Sequence, residues 1–433
     1  MKIAVEGCVH GHLDDIYATL QHLERVENVK IDLLICCGDF QAIRNEDDME
    51  SLACPPKYRS MNSFWKYYAG VERAPYPTIF VGGNHEASNY LWDLYYGGFV
   101  APNIYFLGFA GVVKFGGVRI AGLSGIYKEG DYRKGHFERY PYDPSDLRSV
   151  YHVREYDVNK LLQLQGAIDV FVSHDWPRGV VKHAPQRDVE QLLRHKPFFR
   201  KEVEQDILGS TPGKELLHKL KPEYWFSAHL HTKFAAVIHH PNKKATKFLA
   251  LDKCLPRRNF LQVFDVADTD SPLEFTYDDD WLAITRAHHP QMPLSRRPVQ
   301  WYHVELEPHR VWVRKRLAEK GSTIPTKFIQ TAPPYEPNKP GGRVGKSSGH
   351  QRNPQTVAFL ELLDLPYLLD SEPQSTPWQQ QALSQAAADP DEIPLDDEDA
   401  EEKAVVPDDI DELEASRDPD EIELPDDENE ASL

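Results

Sequence analysis

Cysteine is scarce in this sequence, with five residues among 433. Four of the five lie within the first 54 residues and two are adjacent, which is not the spacing of a disulfide framework. Their number therefore argues against a disulfide-stapled secreted domain and favours a reducing compartment. The five are Cys8, Cys36, Cys37, Cys54 and Cys254.

Long apolar runs are absent as well. A membrane-spanning helix needs roughly 18 to 20 consecutive apolar residues, and no stretch of the sequence provides them. Residues 1–6 read as the first β-strand of a fold and lack the apolar core of a signal peptide. We therefore expect an intracellular protein with no membrane partner.

Positive charge is nearly missing from the end of the chain. From residue 371 onward lie 23 of the 68 acidic residues and only two of the 49 basic ones, a net charge of −21. Because few aromatic residues accompany these charges, residues 371–433 are predicted to form a disordered acidic tail. The preceding 370 residues carry a net charge of +2, so the body of the protein is not barred from binding a polyanion.

Apolar runs alternate with helical patterns in the first hundred residues. Residues 2–6, 32–37 and 78–81 are predicted strands, and residues 13–23 show the apolar spacing of a helix. This alternation is typical of βαβ units. Further short strands are predicted at 104–107, 112–115, 118–121, 168–172, 224–226, 234–238, 247–251 and 260–266. The sequence thus predicts an α/β (α+β) domain over residues 1–270.

A smaller C-terminal region is predicted over residues 271–370. It contains an aromatic and basic stretch at 312–316 and a helical pattern at 357–363. Between them, residues 325–353 are rich in proline, glycine and lysine, which is typical of a linker.

Polar side chains that can bind metal follow five of the predicted strands. The pairs Cys-x-His and His-x-His place both side chains on one side of an extended backbone, so both can face one ion. One histidine alone is more often a core or surface residue, and Gly83-Asn84-His85-Glu86 alone also fits an ordinary turn. Five such strand ends together indicate a two-metal centre, for which the seven residues other than His85 supply enough ligands if Asp39 bridges the two ions. The residues are Cys8, His10, Asp39, Asn84, His85, His174, His229 and His231.

These motifs resemble those of the calcineurin-like metallophosphoesterases. Their usual first motif is Asp-x-His, whereas this sequence has Cys8-Val9-His10, which resembles the RNA lariat debranching enzymes. Four further stretches are similar to motifs of that subfamily. They are Gly38-Asp39-Phe40-Gln41, Ser173-His174-Asp175-Trp176-Pro177, Ser227-Ala228-His229-Leu230-His231 and Asp252-Lys253-Cys254-Leu255-Pro256.

The resemblance implies a four-layer αββα sandwich with two divalent metal ions. It assigns His85 as the acid that protonates the leaving 2′ oxygen or stabilises charge on the phosphate. The thiolate of Cys8 favours Zn²⁺ or Fe²⁺ over Mg²⁺, with Mn²⁺ as a further candidate; alternatively, Cys8 is only a small buried residue. The first implied site contains Cys8, His10, Asp39 and His231, and the second adds Asn84, His174 and His229 to Asp39.

A long segment without periodicity spans residues 125–142, where debranching enzymes carry their lariat-recognition loop. Aromatic rings there can stack on unpaired bases and cations can meet phosphates, although an ordinary surface loop remains the alternative. Phe137 is a further candidate for base stacking. The expected substrate-binding residues are Tyr127, Lys128, Tyr132, Arg133, Lys134, His136 and Arg139.

The expected function is hydrolysis of the 2′–5′ phosphodiester bond at the branch point of excised intron lariat RNA, which linearises the RNA for turnover. This substrate implies a nuclear location, and the C-terminal region or acidic tail could contact splicing-related proteins. Two alternatives stay open: a general metallophosphatase or phosphodiesterase on the same fold, and a non-catalytic scaffold.

Overall fold

A computed structural model describes residues 1–241, 243–266, 270–337 and 349–371. The predicted acidic tail from residue 372 onward and the glycine-rich part of the predicted linker lie outside the described residues. None of the helices in the described part of the chain is long and apolar enough to cross a membrane.

Thirteen strands in the described residues form two sheets. Their order along the chain matches the predicted alternation of apolar runs. The strands are β1 (Lys2–Glu6), β2 (Leu33–Cys36), β3 (Thr78–Phe80), β4 (Gly98–Ala101), β5 (Ile104–Phe106), β6 (Ala110–Phe115), β7 (Val118–Leu123), β8 (Val170–Ser173), β9 (Tyr224–Ser227), β10 (Phe234–His239), β11 (Ala245–Ala250), β12 (Leu261–Asp265) and β13 (Phe275–Tyr277).

The first sheet has the order β12-β1-β2-β3-β5-β4, and the second has the order β10-β11-β9-β8-β7-β6-β13. Neighbours from β1 to β5 in the first sheet are parallel, as are neighbours from β11 to β7 in the second. The outer strands pair antiparallel. Parallel strands are covered on both faces, which explains their continuous apolar runs.

The two sheets pack face to face through one apolar core. Val5 of β1 and Ile35 of β2 belong to the same buried cluster as Ile120 of β7 and Val172 of β8. Alternate residues of each strand therefore face the opposite sheet, and the others face the helices. The two mixed sheets with helices confirm the predicted sandwich.

Twelve α-helices are present in the described residues. Helix α1 buries Leu13, Ile16, Tyr17 and Leu20, and the fifth side chain that the sequence pattern predicts on this face, Leu23, is only partly buried. The helices are α1 (Leu13–Glu27), α2 (Phe64–Ala69), α3 (Ser88–Asp93), α4 (Glu129–Tyr132), α5 (Pro144–Leu147), α6 (Glu155–Leu161), α7 (Gln186–His195), α8 (Arg200–Glu204), α9 (Thr211–Leu220), α10 (Asp279–His288), α11 (Glu307–Lys320) and α12 (Pro354–Leu362). Short 3₁₀ helices lie at Glu46–Ser51, Pro56–Tyr58, Val180–His183, Pro197–Phe199 and His289–Gln291.

The C-terminal region packs on the sandwich and continues its sheet. Strand β13 pairs with β6, and side chains of α10 to α12 share a buried cluster with Trp92 and Tyr95. Part of the predicted linker is also bonded to the sandwich, because the Tyr68 hydroxyl accepts hydrogen bonds from the backbone N–H groups of Thr331 and Ala332, each at 2.8 Å. Residues 330–335 are therefore a docked segment and not a free spacer.

Candidate metal centre

The eight predicted site residues follow β1, β2, β3, β8 and β9. Because these strands run parallel to their neighbours within each sheet, their carboxyl ends meet at one edge, where open sheets place their ligands. The structure brings all eight residues into one cluster, in which His10 is partly exposed and the other seven are buried.

The first ligand group has its donor atoms within 4.8 Å of one another. The Nε2 atoms of His10 and His231 lie 3.1 Å apart, and the Nε2 of His10 lies 3.7 Å from Oδ2 of Asp39. Two imidazole nitrogens, a carboxylate and a thiol at this spacing fit one divalent cation. The group consists of Cys8, His10, Asp39 and His231.

The second ligand group also adjoins Asp39. The Nε2 of His174 is 3.2 Å from Oδ1 of Asn84 and 3.4 Å from Oδ2 of Asp39, and its ring centroid is 5.0 Å from that of His229. The Nδ1 of His174 lies 2.8 Å from the Cys37 carbonyl, so Nδ1–H donates there and the Nε2 lone pair faces the site. Asp39 therefore stands where a bridging ligand would stand.

Four of these ligand residues have left-handed backbone conformations. Their φ angles are +43° for His10, +48° for Asp39, +63° for His229 and +48° for His231. Such conformations cost about 1–3 kcal/mol each for residues with a side chain, and they concentrate at functional sites. The backbone turns sharply after each strand so that the side chains converge.

At two glycine positions the backbone lies too close to a ligand side chain to leave room for a Cβ atom. A Cβ on Gly38, whose φ is +116°, would lie 2.3 Å from Nδ1 of His174. A Cβ on Gly83 would lie 2.1 Å from Oδ1 of Asp39. Any larger residue at these positions would displace a ligand.

Glu86 joins the two loops that carry Asp39 and Asn84. Its carboxylate accepts backbone hydrogen bonds from Phe40 at 2.7 Å, Gln41 at 2.8 Å and Gly83 at 2.9 Å. Burial and then the nearby Asp39 raise the pKa of Glu86 to about 8, although these hydrogen bonds lower it. Glu86 is visible in a sequence motif, but its role is not, because two of its three hydrogen-bond donors come from another strand end.

The protonation of the ligand histidines is not uniform, because burial lowers the pKa of His10 and His229, whereas the Asp39 carboxylate outweighs burial and raises the pKa of His174. Burial above all lowers the pKa of His10 to about 4 and that of His229 to about 3, so both imidazoles are neutral near pH 7. Burial alone would raise the pKa of Asp39, but His174 and His85 hold it well below its ordinary value. Burial and then the Asp39 charge raise the pKa of Cys8, and a bound cation would oppose that effect.

His85 is held through one ring nitrogen, and the other has no hydrogen-bond partner in the described part of the chain. Its backbone N–H donates to Oδ1 of Asp39 at 2.8 Å, and its Nδ1 lies 3.1 Å from the carbonyl oxygen of Ala53. The Nδ1 proton therefore points to Ala53 and leaves Nε2 available. The ring lies 5.8 Å from that of His10, which places this nitrogen beside the ligand cluster.

Residues 125–142, the recognition loop, begin next to the metal centre. The backbone N–H of Tyr127 donates to Oδ2 of Asp175 at 3.1 Å, one residue after the ligand His174. Among the expected RNA contacts, Arg133 is exposed, and the rings of Tyr127 and Tyr132 lie 5.5 Å apart. The partly exposed residues are Tyr127, Lys128, Tyr132, Lys134 and Arg139.

His136 and Phe137, which were expected at the RNA surface, are buried instead. Nε2 of His136 lies 2.7 Å from the carboxylate of Asp157 in α6, so its ring polarity is used inside the protein. Phe137 is covered by the guanidinium of Arg296, 4.4 Å from its ring centroid. The composition of the loop suggested contacts, but it did not show which side chains face inward.

The loop is built around Arg154, which the sequence analysis did not single out. This fully buried arginine donates to the carboxylate of Glu138 and to the backbone oxygens of Asp131 and Ser149. Asp131 in turn lies 2.7 Å from Nδ1 of His152. A buried arginine with three acceptors fixes the path of the loop.

Two consecutive stretches of the chain match known protein families. Residues 1–233 match the family described as "Calcineurin-like phosphoesterase", and residues 243–368 match "Lariat debranching enzyme, C-terminal domain". The division between the two matches lies ahead of the boundary at residue 270 that the sequence suggested.

Curated relatives cover nearly the whole chain. The chain is 56% identical over 407 residues to a "Lariat debranching enzyme" of Arabidopsis thaliana. This alignment covers 92% of the present chain and 96% of the Arabidopsis protein. It is 52% identical to "Lariat debranching enzyme A" of Xenopus laevis, with 84% and 70% covered. The identity to the "Lariat debranching enzyme" of Homo sapiens is 45%, with 94% and 81% covered.

Proposed function

Because the chain belongs to the lariat debranching enzymes within the calcineurin-like phosphoesterases, we propose that it hydrolyses the 2′–5′ phosphodiester bond at the branch point of intron lariat RNA. The observation that carries this function is the position of Asp39 between two ligand groups. His85 stands beside it with Nε2 free. Opening the branch would linearise the RNA for turnover.

The two ligand groups around Asp39 would hold divalent metal ions, which would supply Lewis-acid stabilisation of charge on the phosphate and a water of lowered pKa. The chain's own residues hold the geometry. The backbone N–H of His85 donates a hydrogen bond to the Asp39 carboxylate and holds it in place. The Glu86 carboxylate accepts three backbone hydrogen bonds and so holds the surrounding loops. His85 is placed to protonate the leaving 2′ oxygen, because a ribose hydroxyl leaves poorly without a proton donor.

The identity of the metals is part of the proposal. Cys8 contributes sulfur to the first group, and a thiolate favours Zn²⁺ or Fe²⁺ over Mg²⁺. The second group has only oxygen and nitrogen donors, which Mn²⁺, Fe²⁺ and Zn²⁺ all accept. We propose two ions from this set, with Asp39 as the shared ligand.

We also propose that the protein acts in the nucleus, since intron lariats arise during pre-mRNA splicing. Splicing-related proteins are the proposed partners of the C-terminal region or of the acidic tail. The tail's net charge of −21 suits a basic protein surface better than RNA.

The test compares a synthetic 2′–5′ branched RNA with its linear 3′–5′ counterpart, using protein with a measured metal content. We expect cleavage of the branch alone. A general phosphodiesterase would cut both RNAs, and a scaffold would cut neither and bind no metal. His85→Ala should slow branch cleavage by about 10²- to 10⁴-fold while both metals are retained.

A further inference from the structure

The recognition loop is paired along its backbone with a segment of the C-terminal region. The Gly135 N–H donates to the Ser295 carbonyl and the His136 N–H to the Pro293 carbonyl, each at 2.9 Å. In return, the Val299 N–H donates to the Arg133 carbonyl at 2.9 Å. Lys134 and Pro298 form an antiparallel bridge between these contacts. The loop and residues 293–299 are thus joined by backbone hydrogen bonds around one isolated bridge.

Side chains reinforce this pairing. The Arg296 guanidinium covers the ring of Phe137 at 4.4 Å and lies 3.2 Å from a carboxylate oxygen of Asp146, just beyond the loop. At the other end of the segment, Trp301 stacks on His288 of α10 with ring centroids 4.4 Å apart. The segment is therefore anchored to the C-terminal helices on one side and to the loop on the other.

The segment carries the chemistry of an RNA surface. Residues 293–304 contain no acidic residue, and Arg296, Arg297, Tyr302 and His303 are exposed. Tyr302, a large aromatic side chain, is 58% exposed. Exposed rings and arginines next to one another suit unpaired nucleotides, whose bases stack and whose phosphates attract cations.

We propose that residues 293–303 form the second half of the RNA-binding surface and bind an unpaired arm of the branched substrate. Backbone pairing with the loop holds this half in place, and Arg297 contacts the phosphates of the arm. The inference rests on the proposed debranching function. It assigns to the C-terminal region a direct part in substrate recognition.

Two glycines of the loop provide a matched test. A Cβ on Gly135 would lie 2.6 Å from the backbone C and O atoms of Pro293, whereas a Cβ on Gly130 meets nothing within 4 Å. Gly135→Ala must therefore push the recognition loop away from residues 293–299, whereas Gly130→Ala adds the same methyl group to open space. Metal-loaded variants would be assayed on synthetic branched RNA and on bis(p-nitrophenyl) phosphate, which has no RNA arms.

We expect Gly135→Ala to raise KM for branched RNA about tenfold, as a lost contact of ordinary strength would. Its kcat on bis(p-nitrophenyl) phosphate should be unchanged, and Gly130→Ala should match the wild type on both substrates. Equal KM values for the two variants, or an equal loss of Gly135→Ala activity on both substrates, would overturn the inference. Wild-type protein that cuts no branched RNA would instead refute the proposed function itself.

Arg297→Ala gives a second readout that does not depend on packing, because this side chain is exposed. We expect weaker binding of branched RNA and a shallower dependence of affinity on salt, by about 0.7 in the logarithmic slope for one lost contact to a single strand. An unchanged affinity and slope would contradict the phosphate contact. If Gly135→Ala proves unstable, Arg297→Ala alone tests whether residues 293–303 contact the RNA.

Discussion

Side chains of the metal centre converge from five strand ends on one point, whereas many side chains of the recognition loop turn to one another and to α6. In the centre, Asp39 lies within 4 Å of histidines from two sides. In the loop, Glu138 faces Arg154 and His136 faces Asp157. The metal centre gathers ligand atoms that suit divalent cations. In the recognition loop, by contrast, these charged side chains pair with other side chains of the protein. The two regions therefore should respond differently to mutation.

The largest effect is expected for Asp39→Asn. Loss of the shared carboxylate removes the charge that both ligand groups surround, so both ions should bind poorly. Branch cleavage should fall by about 10³-fold or more, since metal ions supply several kcal/mol of transition-state stabilisation. Elemental analysis and rate measurement on the same sample check this. Two retained ions with near-normal activity would show that Asp39 does not bridge.

His85→Ala separates acid catalysis from metal binding within the same region. The loss should be about 10²- to 10⁴-fold on branched RNA with unchanged metal content. Bis(p-nitrophenyl) phosphate should be affected less, because its leaving group needs no proton. An equal loss on both substrates would point to a role in charge stabilisation rather than proton donation.

Arg154→Met should damage the loop and spare the centre. Removing this buried cation leaves Glu138 buried without its partner, which costs about 3–5 kcal/mol. We expect a lower melting temperature and a higher KM for branched RNA, with normal metal content. Arg133→Met, at an exposed position of the same loop, is the matched control and should melt like the wild type. Metal loss in Arg154→Met would mean that the two regions are not independent.

A smaller effect is expected when metal-stripped protein is acidified. The pKa of His10 is about 4 and that of His229 about 3 in the folded chain, below the ordinary 6.5, so the unfolded chain takes up protons first. The stability that these residues contribute is full above pH 6.5 and is lost as the pH falls towards 4 and 3.

The recognition loop should stay folded to a lower pH than the metal centre. The pKa of Asp131 is lowered by its hydrogen bonds to His152 and Lys134, which outweigh the opposing effect of burial, so its contribution persists until the pH falls below the ordinary 3.8. Hydrogen exchange at pH 7, 5 and 3.5 should therefore show the amides of His10 and His229, which donate to the Asp39 carbonyl and to Sγ of Cys8, losing protection before those of residues 133–136. The reverse order would contradict these shifts.

The contrast also explains what the sequence could reveal. Each metal ligand is specified locally, because an apolar run followed by a histidine or aspartate marks a strand end whatever its neighbours are. The eight residues could therefore be identified without knowing how the sheets pack. Gly38 and Gly83 were visible in the motifs, but their close contacts to His174 and Asp39 were not.

The remaining features depend on contacts between distant parts of the chain. Whether Phe137 faces a base or Arg296 depends on a segment about 160 residues away, which composition cannot show. Glu86 and Arg154 likewise acquire their roles only when other loops supply donors and acceptors. The docking of residues 330–335 on Tyr68 belongs to the same class of long-range contact.

Anomalous diffraction from crystals of the Mn²⁺-loaded protein tests the central claim most directly. The structure predicts two peaks on either side of Asp39, one within reach of Cys8 and His231 and the other within reach of Asn84 and His174. A single peak, or a second peak whose ligands do not include Asp39, would contradict the two-metal centre on which the proposed chemistry depends.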